Sequence, residues 1–409
     1  MIANGYNAAT PSIGSFTVQE DFGNNFMVGL GGIGTLSVGG TLSNSDVIAN
    51  PTSAQSAAGI VGVGIGLGGS SGVGNPVGTA GAIGTVTAGE IQSDLFHAGS
   101  IGTVSALGIA ANKFGLGSAQ LGNISSAEIF ASQASTTAAG IGTISTTGNF
   151  NSDTVVAAGQ LTNFTIAGTD NGSSVQAGFV SGSGGVKTGI VNINVGAINA
   201  DNSQPDFVTW YITTFNVKGN AAQNLAGSIL PSSSGNNFNV INVLGNNASV
   251  SGSVGIATFS ATGTVQEALF SVFFGNVTSF KTGMFLQSGL IVGVGSYSAT
   301  STELDPINAV PSFNGVFSVG SFTTTATYNV NDILDSASFQ NSDVVAWNLG
   351  TVTLSGVNTN ATLTGYASFG LFFEGTSGAV KVNGSLSSLV SSFAAQNIAP
   401  QAGSVFFYI

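Results

Sequence analysis

Cysteine is absent from this chain, which excludes disulfides and thiolate-bound metals. Arginine is absent too, and the five cations are Lys113, Lys187, Lys218, Lys281 and Lys381. Against 17 acidic residues they leave a formal net charge of −12. Binding phosphates takes clustered cations, so nucleic acid is not expected as a partner. Attraction to anionic lipid is not expected for the same reason. Charged residues are only 5% of the 409, where about a quarter is ordinary. Proline is scarce, and the 61 glycines have no period of three, so the chain is not collagen-like. No apolar run approaches the roughly 18 residues of a membrane helix; the stretch 60–67 is short and broken by glycine. Met1 to Gly5 carry no basic segment followed by an apolar one. A leader already removed, a piece of a longer protein, or export without an N-terminal signal is therefore expected.

Catalytic constellations are as scarce as charge. His97 is the single histidine, so a Ser-His-Asp triad would have to use it. It stands in Leu95-Phe96-His97-Ala98-Gly99, among apolar residues, and a structural place in a strand is expected. The carboxylate pairs Glu20-Asp21, Asp201/Asp206, Glu303/Asp305 and Asp332/Asp335 lie in turn-like contexts. They read as solvated turns rather than as the paired acids of a glycosidase. Hard oxygen ligands in a turn suit calcium. Glu303 and Asp305 are the candidate metal ligands, and no other cofactor is expected. The glycine clusters 66–69 and 182–185 lack the Lys-Ser/Thr ending of a phosphate loop. Seven Asn-x-Ser/Thr sequons occur, at Asn123, Asn163, Asn171, Asn247, Asn276, Asn360 and Asn383. They are what a chain rich in these residues gives by chance, with glycosylation as the alternative.

What the chain has is a repeat. Ile101-Gly102-Thr103-Val104-Ser105, Leu121-Gly122-Asn123-Ile124-Ser125, Ile141-Gly142-Thr143-Ile144-Ser145 and Leu161-Thr162-Asn163-Phe164-Thr165 follow one another at 20 residues. Copies extend upstream to Ile13-Gly14-Ser15-Phe16-Thr17 and downstream to Leu349-Gly350-Thr351-Val352-Thr353. A second element, Asn44-Ser45-Asp46, Gln92-Ser93-Asp94 and Asn151-Ser152-Asp153, follows about half a repeat later. Its fourth copy, Asn341-Ser342-Asp343, is displaced towards Leu349. Gly, Thr, Val, Ser and Asn are weak helix formers, so each repeat reads as two or three short strands joined by turns. Helix remains open only for 386–396.

The expected fold is all-β, a β-solenoid of about 20-residue coils. Even spacing between Ile13 and Leu349 gives about 15 coils and a rod on the order of 70 Å at the strand spacing. The middle apolar residue of each copy, such as Val86, Val104, Ile124, Ile144 and Phe164, should point inward and stack. The flanking Thr, Asn and Ser should point outward. The leading Ile or Leu has the wrong parity for the interior unless the glycine after it turns the chain. Nine phenylalanines precede residue 200 and 19 follow. Residues 1–200 are therefore read as regular solenoid. Residues 201–409 are read as a wider, Phe-rich solenoid or second β domain, with 201–205 as the junction.

The repeats Ile33-Gly34-Thr35-Leu36-Ser37-Val38-Gly39-Gly40 and Ile83-Gly84-Thr85-Val86-Thr87-Ala88-Gly89 resemble those of large bacterial surface proteins built from β-strand repeats. The Gly/Ala/Ser/Thr/Asn-rich, acidic, cysteine-free and arginine-free composition is similar to that of prokaryotic surface-layer proteins, sheath proteins and solenoid adhesins. The resemblance implies an extracellular or cell-surface location and assembly, often with calcium. The chain lacks the nonapeptides of calcium-repeat families. The expected function is that of a self-assembling surface-layer, sheath or filament subunit, a homopolymer of its own copies, without enzymatic activity. The alternatives are an adhesin that contacts glycan or cell surface, and an ice-binding solenoid presenting outward Thr-x-Ser/Thr rows. The last residues, Val405, Phe406, Phe407, Tyr408 and Ile409, form an uncharged apolar strand. They are the candidate assembly contact, because unprotected edges pair with other chains.

Overall fold

The computed structural model describes residues 2–3, 11–29, 31–49, 81–132, 139–178, 187–200, 206–231, 239–245, 253–294, 312–325, 338–340, 342–355, 371–382, 385–386 and 407–408. They form an all-β solenoid whose stacked strands run parallel. Among the described residues the one helical piece is the 3-10 turn Ala221–Gln223, and no helix is long and apolar enough to cross a membrane. The chain divides into two units, Met1–Val195 and Gly196–Ile409.

A coil of the first unit has three strands. The first strands are Ile13–Val18, Ile33–Val38, Ala82–Ala88, Ser100–Ala106, Ala139–Thr146 and the front of Gln160–Asn171. Each pairs in parallel with the next. The second strands are two or three residues long and the third strands four, again in parallel register from coil to coil. Corresponding residues of successive coils therefore enter the interior in columns. Leu36, Val86, Val104, Ile144 and Phe164 make the first column and Val47, Phe96, Ile129, Val155 and Val175 the third, all fully buried. Each is worth about 1.5–3 kcal/mol of apolar burial.

The glycine after the leading Ile solves the parity problem. Ile101 pairs with Ile141 and Thr103 with Thr143, and both Ile101 and Val104 are buried although three residues apart. Two outward residues therefore separate them where strict alternation allows one. The glycine sits against the coil before it: a Cβ on Gly34, Gly84, Gly102 or Gly142 would overlap the carbonyl oxygen of Gly14, Gly34, Gly84 or Gly102 respectively. Glycine recurs because each coil's glycine occupies the space that the next coil's side chain would need.

The corner between second and third strands explains the second sequence element. Asn24, Asn44, Ser93, Ser126 and Ser152 occupy the left-handed region, one per coil, with φ between 48° and 56°. Asn tolerates this conformation best among residues with a Cβ. The next residue reaches to the coil before. Ser45 Oγ accepts from Asn25 N at 3.3 Å, Asp94 Oδ1 from Ser45 N at 2.7 Å, Asp153 Oδ1 from Ala127 N at 2.6 Å and Ser173 Oγ from Asp153 N at 3.1 Å. Each satisfies a corner N–H that the strand ladders leave free. In true register Ser45 matches Asp94, since Asp46 pairs with Leu95. Ser342 also holds this corner: its Oγ accepts from Ser288 N at 3.1 Å, and Asp343 starts a third strand. The fourth copy is displaced in sequence but not in the coil.

One alignment is corrected. Ile124 is fully buried, but it pairs with Ile91 and Phe150, in the second-strand column. Val104 stacks directly on Ile144. The segment 107–123 is an insertion inside one coil, and its length happens to match the 20-residue period. Even spacing fails elsewhere too: Ile33 pairs with Ile83, 83 − 33 = 50 residues on. Among the described residues twelve first strands, from Ile13–Val18 to Asn348–Leu354, replace the expected fifteen.

In the second unit the same plan carries a heavier core. Phe215, Phe259, Phe280 and Phe322 stand in the first column, where most coils of the first unit place an aliphatic side chain, and all four are fully buried. Phe215 meets Phe259 edge to face at a centroid distance of 5.2 Å, and Phe259, Phe280 and Phe322 stack, 4.2 Å and 5.4 Å apart from one to the next. Phe270 and Phe285 pack edge-on against Phe280 from the other strands. The stretch 201–205 lies outside the described residues. So does 386–396 except Leu386, which stands in a short strand, Ser385–Leu386, antiparallel to Val380–Val382.

Candidate functional site

Three features of the first unit carry chemistry beyond packing. The first is a set of buried carboxylates. Asp94 and Asp153 are nearly inaccessible; burial raises the Asp94 carboxyl to about 7 and the Asp153 carboxyl well above its usual range, despite the backbone N–H bonds each accepts. Asp170 is more unusual. It pairs with Phe150, in the column of Phe22, Leu42, Ile91, Ile124 and Phe150, so a carboxyl stands where every earlier coil has an apolar side chain. It is 1% exposed. The Ser173 hydroxyl and backbone N–H lie close enough to favour ionisation in part, yet neither carboxyl oxygen of Asp170 has a hydrogen bond of full geometry, nor has Oδ2 of Asp153. Burial raises Asp170 to about 7, and its proximity adds to the rise of Asp153.

His97 lies in the third strand Leu95–Ala98, buried, with its ring 5.3 Å from that of Phe130 one coil on. Burial lowers it to about 4, so it stands neutral in a packed row.

The second feature is the outer row of the first strands. Thr35, Thr85, Thr103 and Thr143 are in register, and so are Ser37, Thr87, Ser105 and Ser145. Ser105 Oγ and Ser145 Oγ are 2.7 Å apart. Asparagine ladders share these outer faces: Asn192 Nδ2 donates to Asn163 Oδ1 at 3.0 Å and Asn171 Nδ2 to Asn151 Oδ1 at 2.7 Å. The four described sequon asparagines, Asn123, Asn163, Asn171 and Asn276, all bond to a neighbouring coil.

The third feature is the insertion. Among the described coils of the first unit the others pass from first to second strand directly or in a short turn, as at Gly89 between Ala82–Ala88 and Glu90–Gln92; in the second unit 218–228 makes a similar excursion between Ile212–Val217 and Ile229–Leu230. After Ser100–Ala106 the chain instead leaves the solenoid and returns at Ile124–Ser125. Gly108, at φ 84°, and Gly122 form the neck, where a Cβ on Gly122 would overlap Gly108 N. Ile109 and Gln120 exchange two backbone bonds of 2.9 Å. The tip is held by Asn112 N to Leu116 O at 2.9 Å and Leu116 N to Lys113 O at 3.0 Å. It is a compact loop of the Ω kind, its ends close together. Leu107, Phe114 and Leu121 are 60%, 43% and 50% exposed, and they are the exposed large apolar residues of the first unit among those described. Phe114 has φ 52°, a strained value for a bulky side chain, and Lys113 Nζ lies 5.3 Å from its ring centre.

The residues singled out from sequence fare unevenly. Glu303 and Asp305 lie outside the described residues, as do Asp201, Asp332, Asp335 and the glycine clusters. Val405, Phe406 and Ile409 lie outside them as well. Phe407–Tyr408 form a strand parallel to Leu371–Phe372 of the same chain. Glu20 and Asp21 are exposed at a corner, where Asp21 Oδ1 accepts from Thr41 N at 2.7 Å. The length of loop 107–122 mimics a coil and hides it within the repeat; its signal is the lone Lys-Phe between glycines. Asp170 was legible only in register with Phe150. Among the described residues no cluster of three or more His, Cys, Asp or Glu is placed to hold a metal. Neither a protein-family model nor a curated protein or solved structure matches the chain.

Proposed function

We propose that this protein is a self-assembling structural subunit of an extracellular layer, sheath or filament. The observation that carries the reading is the strand Ile13–Val18, in a coil whose third strand, Phe26–Gly29, is already paired with Ile2–Ala3. Among the described residues Ile13–Val18 is paired on one side only, with Ile33–Val38. Phe16 and Phe22, whose counterparts Leu36 and Leu42 are fully buried, stay half-buried, their rings 5.6 Å apart. An uncharged edge of this kind pairs readily with another parallel strand, and in this reading that strand belongs to a neighbouring copy. The strand has no charged side chain to protect it. Absent cysteine suits export without oxidative folding. The test is light scattering against concentration for the wild type and Phe16→Lys, which puts a charge on the open column. Concentration-dependent growth that Phe16→Lys suppresses supports the reading; identical scattering of the two removes the edge as the junction.

Ice binding is the second reading, favoured by the in-register Thr and Ser rows on the outward side of the first strands, where Ser105 is buried. Thr103→Tyr would then abolish thermal hysteresis, and absence of hysteresis in the wild type ends this reading.

A further inference from the structure

The base of loop 107–122 continues the coil, with Ile109 buried against Gly89, but its tip, 110–119, is more chain than the corner needs. The same corner is closed by one glycine in the coil before, and the neck atoms of Gly108 and Gly122 already touch. The loop nevertheless has its own hydrogen bonds, gathers the unit's exposed large apolar side chains, and places one of only five cations at its tip. A structured loop that presents apolar groups beside a charge is built to meet something.

The surface that complements it is on the same chain. On the outer face of the third strands Phe26, Asp46, Leu95 and Glu128 stand in one register row, all half-buried. Apolar and acidic side chains alternate along this row. Asp46 is raised by burial first and by the charge of Glu128 second, so the two carboxylates repel across the intervening coil. A cation between them, with apolar groups against Phe26 and Leu95, would relieve that repulsion.

We infer that loop 107–122 of one copy docks on the Phe26–Asp46–Leu95–Glu128 row of a second copy, Lys113 meeting the carboxylates and Phe114 the apolar positions. The inference rests on the assembly reading above and supplies it with a lateral contact. The contact joins two different patches, so it is heterologous and propagates unless it closes into a ring. The partner's strongly acidic composition, 17 acidic residues against 5 cations, favours a cation-bearing knob over a further acidic one.

Charge reversal tests it. Lys113→Glu, Glu128→Lys and the double variant are compared with the wild type by sedimentation and light scattering, with circular dichroism and thermal unfolding as folding controls. Lys113 is exposed on the loop, so its replacement leaves the solenoid standing. Each single reversal is expected to raise the concentration needed for assembly about tenfold, the usual scale for a partly desolvated interfacial charge, and the double variant to restore it. Deleting 109–121, which joins Gly108 to Gly122, should abolish the lateral contact. Lys113→Glu assembling like the wild type, or a double variant no better than the singles, overturns the inference while leaving the assembly reading intact. A wild type that stays monomeric at all concentrations overturns both.

Discussion

Replacing Asp170 with asparagine should change the pH dependence of the first unit in a defined direction. The carboxyl lies in an otherwise apolar column with 1% of its surface exposed, and its pKa is raised from 3.8 to about 7 by burial. Between these values the folded chain holds a proton that the unfolded chain has released. Stability is therefore full below about pH 4 and falls as pH rises through 7. A rise of about 3 units at about 1.4 kcal/mol per unit is on the order of 4 kcal/mol. Asp94 and Asp153 act in the same direction. His97, lowered from 6.5 to about 4, opposes them: it loses on the order of 3 kcal/mol as pH falls from about 6.5 towards 4. A global melting curve would mix these, and solenoids unfold by segments, so the readout must be local. Hydrogen exchange over 160–177, corrected for the intrinsic rate, should show less protection at pH 8 than at pH 5. Asp170→Asn has nearly the same shape as the protonated acid and cannot ionise, and should lose much less of its pH 5 protection at pH 8 than the wild type, the remainder coming from Asp153, which Ser173 contacts. Asp170→Ile, matching Ile91 and Ile124, should do so as well. Equal wild-type protection at both pH values, or an Asn variant that loosens as the wild type does, would refute the reasoning.

Ile144→Asp buries an unpaired carboxylate in the first column and should cost several kcal/mol, read as lost thermal stability, whereas Thr143→Asp on the outer row should cost little. Gly102→Val should displace the coil, since its Cβ overlaps Gly84 O, while Gly117→Val, with nothing within 4 Å of its Cβ, should leave the melting temperature unchanged. Deleting 403–409 removes the strand Phe407–Tyr408 and should impair assembly in light scattering if the tail contributes a junction; normal assembly rules that junction out.

The fold was legible because its physics is periodic. Ile101, Thr103 and Val104 repeat since every coil must put a branched side chain inside, a hydroxyl outside and a glycine where the next coil's backbone passes. The corner element was legible for the same reason, and Ser45 and Asp94 were misaligned by one only because a serine and an aspartate both cap a backbone N–H. What defeated the reading was insertion. Leu121-Gly122-Asn123-Ile124 has the composition of a first strand, and only pairing with Ile91 and Phe150 shows it closing a loop into a second strand. The loop's exposed Phe114 and the inward Asp170 break the periodic rule, so a search for periodicity passes over them. They are where chemistry other than packing resides.

Negative-stain microscopy of the full chain, taken from dilute solution through increasing concentration, tests the assembly claim most directly. The expected images show filaments or ordered sheets that appear with concentration and carry a single subunit repeat. Separate, uniform particles at every concentration would contradict it.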